Sequence, residues 1–93
     1  MIYAFVQITI TDPEMMAKYA EVAGAALQKY GAAPVAMSKE PTRLEGDAAA
    51  PSRAVLLGFP DRDAAMGWIN DPELADIHAL RRSAGDSEIT LIG

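Results

Sequence analysis

The chain has 93 residues, 51% of them hydrophobic, and carries a net charge of −5 with one histidine and no cysteine. This length leaves room for one domain, and the lack of cysteine excludes disulfides, thiolate nucleophiles and cysteine-ligated metal centres. The negative charge opposes binding to nucleic acid or to an anionic lipid surface, because both require a basic face.

The first ten residues alternate with a period of two, which predicts a β-strand with one fully apolar face. The apolar face carries Ile2, Ala4, Val6, Ile8 and Ile10. The opposite face carries Tyr3, Phe5, Gln7 and Thr9. The segment has neither the basic start nor the small-residue cleavage site of a signal peptide, so we interpret it as a strand.

A helix is predicted to follow this strand. Asp12 supplies an N-cap and Pro13 fits the first helical position. Apolar side chains then recur at steps of three and four residues as far as Tyr30, where Gly31 is placed to end the helix.

Two further strands are predicted in the middle of the chain. Residues 34–44 form the weaker one, and Pro34 and Pro41 confine it to a sheet edge because each lacks an N–H donor. After a loop over residues 45–52, the apolar run from Arg53 to Phe59 predicts a central strand covered on both faces.

The last third of the chain predicts helical segments and a closing strand. Asp61 caps a short helix that carries Trp68, and Asn70-Asp71-Pro72 interrupts the chain before a second helix that ends near Arg82. Residues 86–92 form the last strand.

The resulting β-α-β-β-α-β order predicts one ferredoxin-like α+β domain, residues 1–93, with a four-stranded antiparallel sheet. Within this sheet we expect the first and third strands to be central neighbours and, because of a helical crossover, to run parallel. Both helices then cover one sheet face. The other face presents Tyr3, Phe5 and Gln7, together with Ala54, Leu56 and Gly58 of the third strand. This patch predicts a homodimer in which two sheets meet as a dimeric α+β barrel. No stretch approaches the roughly 20 apolar residues of a membrane span, so we expect a cytoplasmic protein.

A set of short motifs in the second half of the chain resembles the family called domain of unknown function 1330, within the dimeric α+β barrel superfamily. The motifs are Leu44-Glu45-Gly46-Asp47, Pro51-Ser52-Arg53, Gly58-Phe59-Pro60-Asp61, residues 64–73, Leu80-Arg81-Arg82-Ser83-Ala84 and Asp86-Ser87. The resemblance implies the fold, the dimer and a pocket. It implies no substrate, because the family has no established activity.

His78 and Trp68 are the most distinctive candidates for chemistry. His78 is the only side chain whose ordinary pKa lies near neutrality, which makes it the candidate catalytic residue. The segment from Ala65 to Arg82 also resembles part of the heme-degrading monooxygenases of the same superfamily, which use an asparagine, a tryptophan and a histidine; Gln7 stands where that asparagine is required. We favour simpler interpretations, with Trp68 as a core anchor, His78 partly exposed at the surface, and no cofactor or metal.

The leading functional hypothesis is a pocket between sheet and helices that binds a small apolar or aromatic molecule. Its predicted ligand-binding residues are Tyr3, Phe5, Gln7, Trp68 and Arg81, with His78 beside them. Arg53 and Arg81 either bind a carboxylate ligand or form ion pairs with neighbouring acids, and we favour ion pairs. The alternatives are a heme-degrading or cofactor-independent monooxygenase, and a structural or regulatory dimer without catalysis.

Overall fold

A computed structural model describes all residues, 1–93, as a four-stranded sheet with three α-helices on one of its faces. The elements are β1 (Ile2–Ile10), α1 (Pro13–Gln28), β2 (Ala33–Ser38), β3 (Arg53–Phe59), α2 (Arg62–Asn70), a 3-10 turn (Pro72–Leu74), α3 (Ala75–Ala84) and β4 (Gly85–Ile92). This order confirms the ferredoxin-like prediction. No α-helix has the length and apolar character needed to cross a lipid bilayer.

The strands lie in the order β2-β3-β1-β4, and every neighbouring pair is antiparallel. β1 and β3 are central neighbours as expected, but the prediction that they run parallel was wrong. The reason is that α1 connects β1 to β2, which lies beyond β3, so the crossover makes β1 parallel to β2. The β2–β3 hairpin then reverses the chain and sets β3 antiparallel to β1.

The helix ends follow the local sequence. Asp12 accepts hydrogen bonds from the N–H groups of Glu14 and Met15, and Asp61 accepts one from Ala64. Gly31, with φ of 68°, turns the chain after α1 into the edge strand. Within that strand a bulge between Pro34 and Ala36 shifts the register against β3.

The alternation of β1 decides where the core lies. Ala4, Val6 and Ile8 are buried on the helix-facing side of the sheet, where Phe59 and Trp68 join them. Only 16 of the 93 residues are buried. A single copy of this chain therefore has a small core, as its length predicts.

A polar cluster joins the C-terminal end of α1 to the segment between α2 and α3. The Lys29 Nζ lies 2.6 Å from Asp71 Oδ2 and 2.8 Å from Glu73 Oε2. The Tyr30 hydroxyl donates to the same Asp71 oxygen at 2.6 Å. The hydrogen bonds from Lys29 and Tyr30 hold the pKa of Asp71 at about 2 and also raise the pKa values of both donors.

Candidate functional site

A cavity of about 330 Å³ lies between α1 and the helix-facing side of the sheet. Its lining side chains are almost all apolar, and only Tyr19, Arg53 and Arg81 carry strongly polar groups. The strands supply Val6, Ile8, Val55 and Leu57, and β2 adds Pro34 and Met37. This volume falls within the range of small-molecule sites.

Small side chains on α1 keep the cavity open. Ala20, Ala23 and Gly24 face it at positions where a typical amphipathic helix carries larger side chains. A Cβ built on Gly24 meets no heavy atom within 4 Å. Since glycine inside a helix costs about 0.5–1 kcal/mol relative to alanine, Gly24 weakens the helix at a position that lines the cavity.

Arg81 is the buried cation of this cavity. It is only 3% exposed, although it lies next to the exposed Arg82 on α3. Its guanidinium carbon is 5.8 Å from the centre of the Tyr19 ring and 5.6 Å from that of Trp68. These faces stabilise a cation by cation–π attraction. The only salt bridges in the protein belong to Lys29, so no carboxylate neutralises Arg81.

Arg81 and the Trp68 backbone fix the tautomer of His78. Arg81 Nη1 lies 2.7 Å from His78 Nδ1, and His78 Nε2 lies 2.8 Å from the Trp68 carbonyl oxygen. A guanidinium only donates and a carbonyl only accepts, so Nε2 carries the proton and the imidazole is neutral. Burial lowers the pKa of His78, and the charges of Arg81 and Arg82 add to this effect against the opposing hydrogen bond to Trp68.

Three buried side-chain atoms lack a hydrogen-bond partner: Arg53 Nε, Arg81 Nε and Ser87 Oγ. The sheet register places Arg53 and Ser87 on either side of Ile8, on the helix-facing side. Both arginines also line the cavity. Because a buried polar group without a partner costs about 1–3 kcal/mol, these atoms mark a place where a partner is missing.

The sheet separates the residues that sequence reasoning assigned to one pocket. Tyr3, Phe5 and Gln7 pair with Gly58, Leu56 and Ala54 on the outer face of the sheet, away from the helices. Trp68, His78 and Arg81 lie on the helix side. Of the predicted ligand-binding residues, only Arg81 lines the cavity against α1. The grouping was wrong because the period of two in β1 sends alternate side chains to opposite faces.

Phe5 and Gln7 instead line shallow grooves on the outer face. A groove of about 380 Å³ lies between both side chains and the loop before β3. A second groove of about 290 Å³ joins Gln7 to Arg43 of that loop and to two acids of β4, Asp86 and Glu88. Tyr3 lines neither groove. A ligand-binding role for these residues therefore concerns the outer face alone.

Trp68 packs as the core anchor that the sequence predicts. It is 3% exposed, and its ring lies 5.5 Å from Phe59 and 4.8 Å from His78, measured between ring centres. One edge lines a separate groove of about 180 Å³ beside α2.

The expectation of a partly exposed His78 was wrong, because the side chain is 2% exposed. Its two ring nitrogens are both engaged, and it lines none of the cavities described above. An axial heme ligand needs a free nitrogen facing an open volume. The residues present therefore do not fit a histidine-ligated heme.

The preference for ion pairs at Arg53 and Arg81 was also wrong, since neither forms a salt bridge.

A signal for the burial of Arg81 was present in the sequence. Leu74, Ile77, His78, Arg81 and Ala84 recur at steps of three and four residues, so Arg81 falls on the apolar stripe of α3 and Arg82 does not.

Comparison with known proteins supports the fold more strongly than any activity. The structure is similar to a protein of unknown function from Rhodopseudomonas palustris, with a TM-score of 0.80 and 17% identity over 98% of this chain and 79% of that chain. It is also similar to SnoaB, a cofactor-independent oxygenase from Streptomyces nogalater, with a TM-score of 0.68 and 15% identity over 99% of this chain and 90% of that one.

A structure described as an antibiotic biosynthesis monooxygenase is more distant, with a TM-score of 0.57 and 18% identity over 100% of this chain and 97% of that chain. No curated protein matches the sequence. Residues 1–93 match the family described as a domain of unknown function, DUF1330. The chain therefore belongs to the DUF1330 family over its whole length.

Proposed function

We propose that this protein binds a small apolar molecule in the cavity between α1 and the sheet. The observation that carries the proposal is an apolar space of about 330 Å³ held open by Ala20, Ala23 and Gly24. The cavity opens to solvent, because Ala20, Gly24, Pro34 and Met37 of its lining are exposed. A ligand that fills it removes the apolar lining from water and gains dispersion contacts with it.

The lining favours binding over catalysis. Proton abstraction at neutral pH usually relies on an imidazole or a carboxylate within hydrogen-bond reach of the substrate. The cavity has neither, and its only strongly polar groups are Tyr19, Arg53 and Arg81. The similarity to SnoaB concerns the fold, so a cofactor-independent oxygenase remains the alternative that an oxygen-consumption assay tests.

Fluorescence titration with N-phenyl-1-naphthylamine, a neutral aromatic probe, tests the proposal. We expect saturable enhancement in the wild type and its loss in Gly24→Leu, because Gly24 lines the cavity and a larger side chain there reduces the open space. Ala25→Leu is the matched control, because Ala25 is exposed on the same helix and does not line the cavity. Equal binding by both variants, or none by the folded wild type, would refute the proposal.

We also propose that two copies associate through the outer face of the sheet. Tyr3, Phe5 and Leu56 lie side by side there, and Tyr3 is opposite the exposed Ile92. Val35 reaches the same face, since its Cγ2 lies 3.0 Å from a Cβ built on Gly58. An exposed apolar patch on such a small core indicates an interface between proteins.

Sedimentation equilibrium at micromolar concentration tests the association. We expect twice the chain mass of 9.9 kDa for the wild type, and a monomer for Leu56→Glu. Met66→Glu is the matched control, because Met66 is an exposed apolar residue on α2 and lies away from the outer face. A wild type that stays monomeric at this concentration contradicts the association.

A further inference from the structure

We infer that the ligand of the α1 cavity is an amphipathic anion, with a carboxylate or similar oxyanion head bound by Arg81 and Arg53 and an apolar body directed along β3. The inference rests on the proposed function, since it names the chemical class of molecule that the same cavity takes. It goes further by assigning a head-group site to one end of that cavity.

The first argument is the state of Arg81. This guanidinium is 3% exposed, no carboxylate pairs with it, and its Nε has no partner. Aromatic faces and the neutral His78 surround it but carry no negative charge. Buried charges are usually paired with an opposite charge. An anion in the cavity would supply the counter-charge that the chain itself lacks.

The second argument is that the other polar groups gather at the same end. Arg53 lies opposite Ile8 in the sheet, and Tyr19 packs against the small cluster that contains Ile8. Because Tyr19 also lies beneath the Arg81 guanidinium, both arginines lie toward this end of the cavity. Ser87, with an unpartnered hydroxyl, flanks Ile8 on the other side. Guanidinium groups bind carboxylates through two parallel hydrogen bonds, so this end suits an oxyanion.

The third argument is the polarity gradient along β3. The lining is cationic at Arg53 and becomes aliphatic at Val55 and Leu57. Leu27 and Pro34 also line the aliphatic end, where Pro34 pairs with Leu57. Four residues of strand span roughly 13 Å. A bicyclic aromatic acid or an alkyl acid of medium length matches this distance, whereas an inorganic anion leaves the aliphatic end empty.

The net charge of −5 does not oppose such a ligand. Exposed acids more than about 8–10 Å from the site are largely screened at physiological ionic strength, whereas charges in contact within a buried site are screened far less. The attraction of Arg53 and Arg81 therefore decides the binding of a small anion.

A pair of fluorescent probes tests the head-group site. 8-Anilinonaphthalene-1-sulfonate has the ring system of N-phenyl-1-naphthylamine plus one sulfonate. We expect the wild type to bind the sulfonate probe about tenfold more tightly, and Arg81→Gln or Arg53→Gln to remove this advantage while changing the affinity for the neutral probe less than threefold. Arg82→Gln is the matched control, since it removes the same charge from an exposed neighbour of Arg81.

The outcomes separate the two proposals. If neither probe binds to the folded wild type, the proposed function fails. If the neutral probe binds but the sulfonate gives no advantage, or the advantage survives both arginine variants, the cavity is real and the anion site is overturned. Should Arg81→Gln fail to fold, Arg53→Gln on the partly exposed end of β3 decides the matter. Displacement of the sulfonate probe by decanoate at lower concentrations than by 1-decanol, which has the same chain length, would extend the result to carboxylates.

Discussion

The two halves of the helical layer cover the same sheet in opposite ways. On the α2 side, Trp68 and Phe59 are almost completely buried and leave only a groove of about 180 Å³. On the α1 side, Ala20, Ala23 and Gly24 leave a cavity of about 330 Å³. The aliphatic face of β1 runs beneath both halves. The same apolar strand face therefore supports a packed core on one side and a pocket on the other. The size of the side chains that cover it decides which of the two forms.

Electrostatics divides the two halves in the same way. Both ring nitrogens of His78, beside Trp68, are engaged, because Nε2 donates to the Trp68 carbonyl and Nδ1 accepts from Arg81. The unpartnered Nε atoms of Arg53 and Arg81 belong to residues that line the cavity. The fully paired histidine therefore lies outside the cavity, and the arginines with unpartnered atoms line it.

The largest expected effect is at Trp68. Trp68→Ala removes the side chain that fills the α2 half, and we expect a loss of about 3–5 kcal/mol in the free energy of unfolding. Urea denaturation at fixed protein concentration measures the loss, since the proposed association would make stability depend on concentration. Met66→Ala, on the exposed side of α2, serves as the control and should cost little. If Trp68→Ala lowers the free energy of unfolding by less than about 1 kcal/mol, Trp68 does not hold the α2 half together and the two halves do not differ in packing.

The second prediction concerns the pH dependence produced by His78. Because burial lowers the pKa of His78 below its ordinary value of 6.5, the unfolded chain binds the proton more readily than the folded chain. The His78 contribution to stability is therefore complete above pH 6.5 and falls as the pH drops below it. One proton limits the slope to about 1.4 kcal/mol per pH unit.

His78→Gln checks this assignment, because glutamine retains one donor and one acceptor but does not titrate. We expect denaturation midpoints that no longer change between pH 6.5 and 5, alongside a lower stability at neutral pH. An unchanged pH dependence in the variant would assign the effect to another group.

The third prediction concerns Gly24, where the open half tolerates added volume. Gly24→Ala should raise the free energy of unfolding by about 0.5–1 kcal/mol, because alanine stabilises a helix and the new methyl group meets no atom within 4 Å. Thermal denaturation measures the gain, and Ala25→Gly on the same helix should lower stability by a similar amount. A lower free energy of unfolding in Gly24→Ala would show that the α1 half has no room for the added methyl group.

The smallest expected effect is at the polar cluster that joins the two halves. The pKa of Asp71 is lowered from 3.8 to about 2, so its contribution is present above pH 4 and is lost as the pH falls toward 2. Asp71→Asn should remove this part of the acid-unfolding profile. Glu73→Gln is the control, since the Glu73 side chain is 81% exposed and should leave the profile almost unchanged.

Local sequence rules predicted most of the fold. Asp12 and Asp61 cap their helices as expected, β3 occupies Arg53 to Phe59 as predicted, and Pro34 lies on an edge strand. These features depend on neighbours in the sequence or on one periodicity. The orientation of β1 against β3 depends instead on which strand the crossover skips, and no local pattern contains that information.

The candidate site was less predictable for a physical reason. The alternation of β1 already separated Phe5 and Gln7 from the helices, so their assignment to the same pocket as Trp68 contradicted a pattern visible in the sequence. The cavity itself arises from small residues on α1, and a helix face with alanine and Gly24 has the same periodicity as a packed one. Only the three-dimensional structure shows that the space between α1 and the sheet stays open.

The bulge in β2 also bears on the proposed association of two copies. Pro34 offers no N–H, and the register shift beside it interrupts the hydrogen-bond ladder that an incoming strand would copy. The opposite edge strand, β4, carries Asp86 and Glu88. With both edges protected, growth by strand addition is disfavoured. If two copies associate through the outer sheet face as proposed, the interface closes after two copies, and rising concentration should give dimers and not fibres.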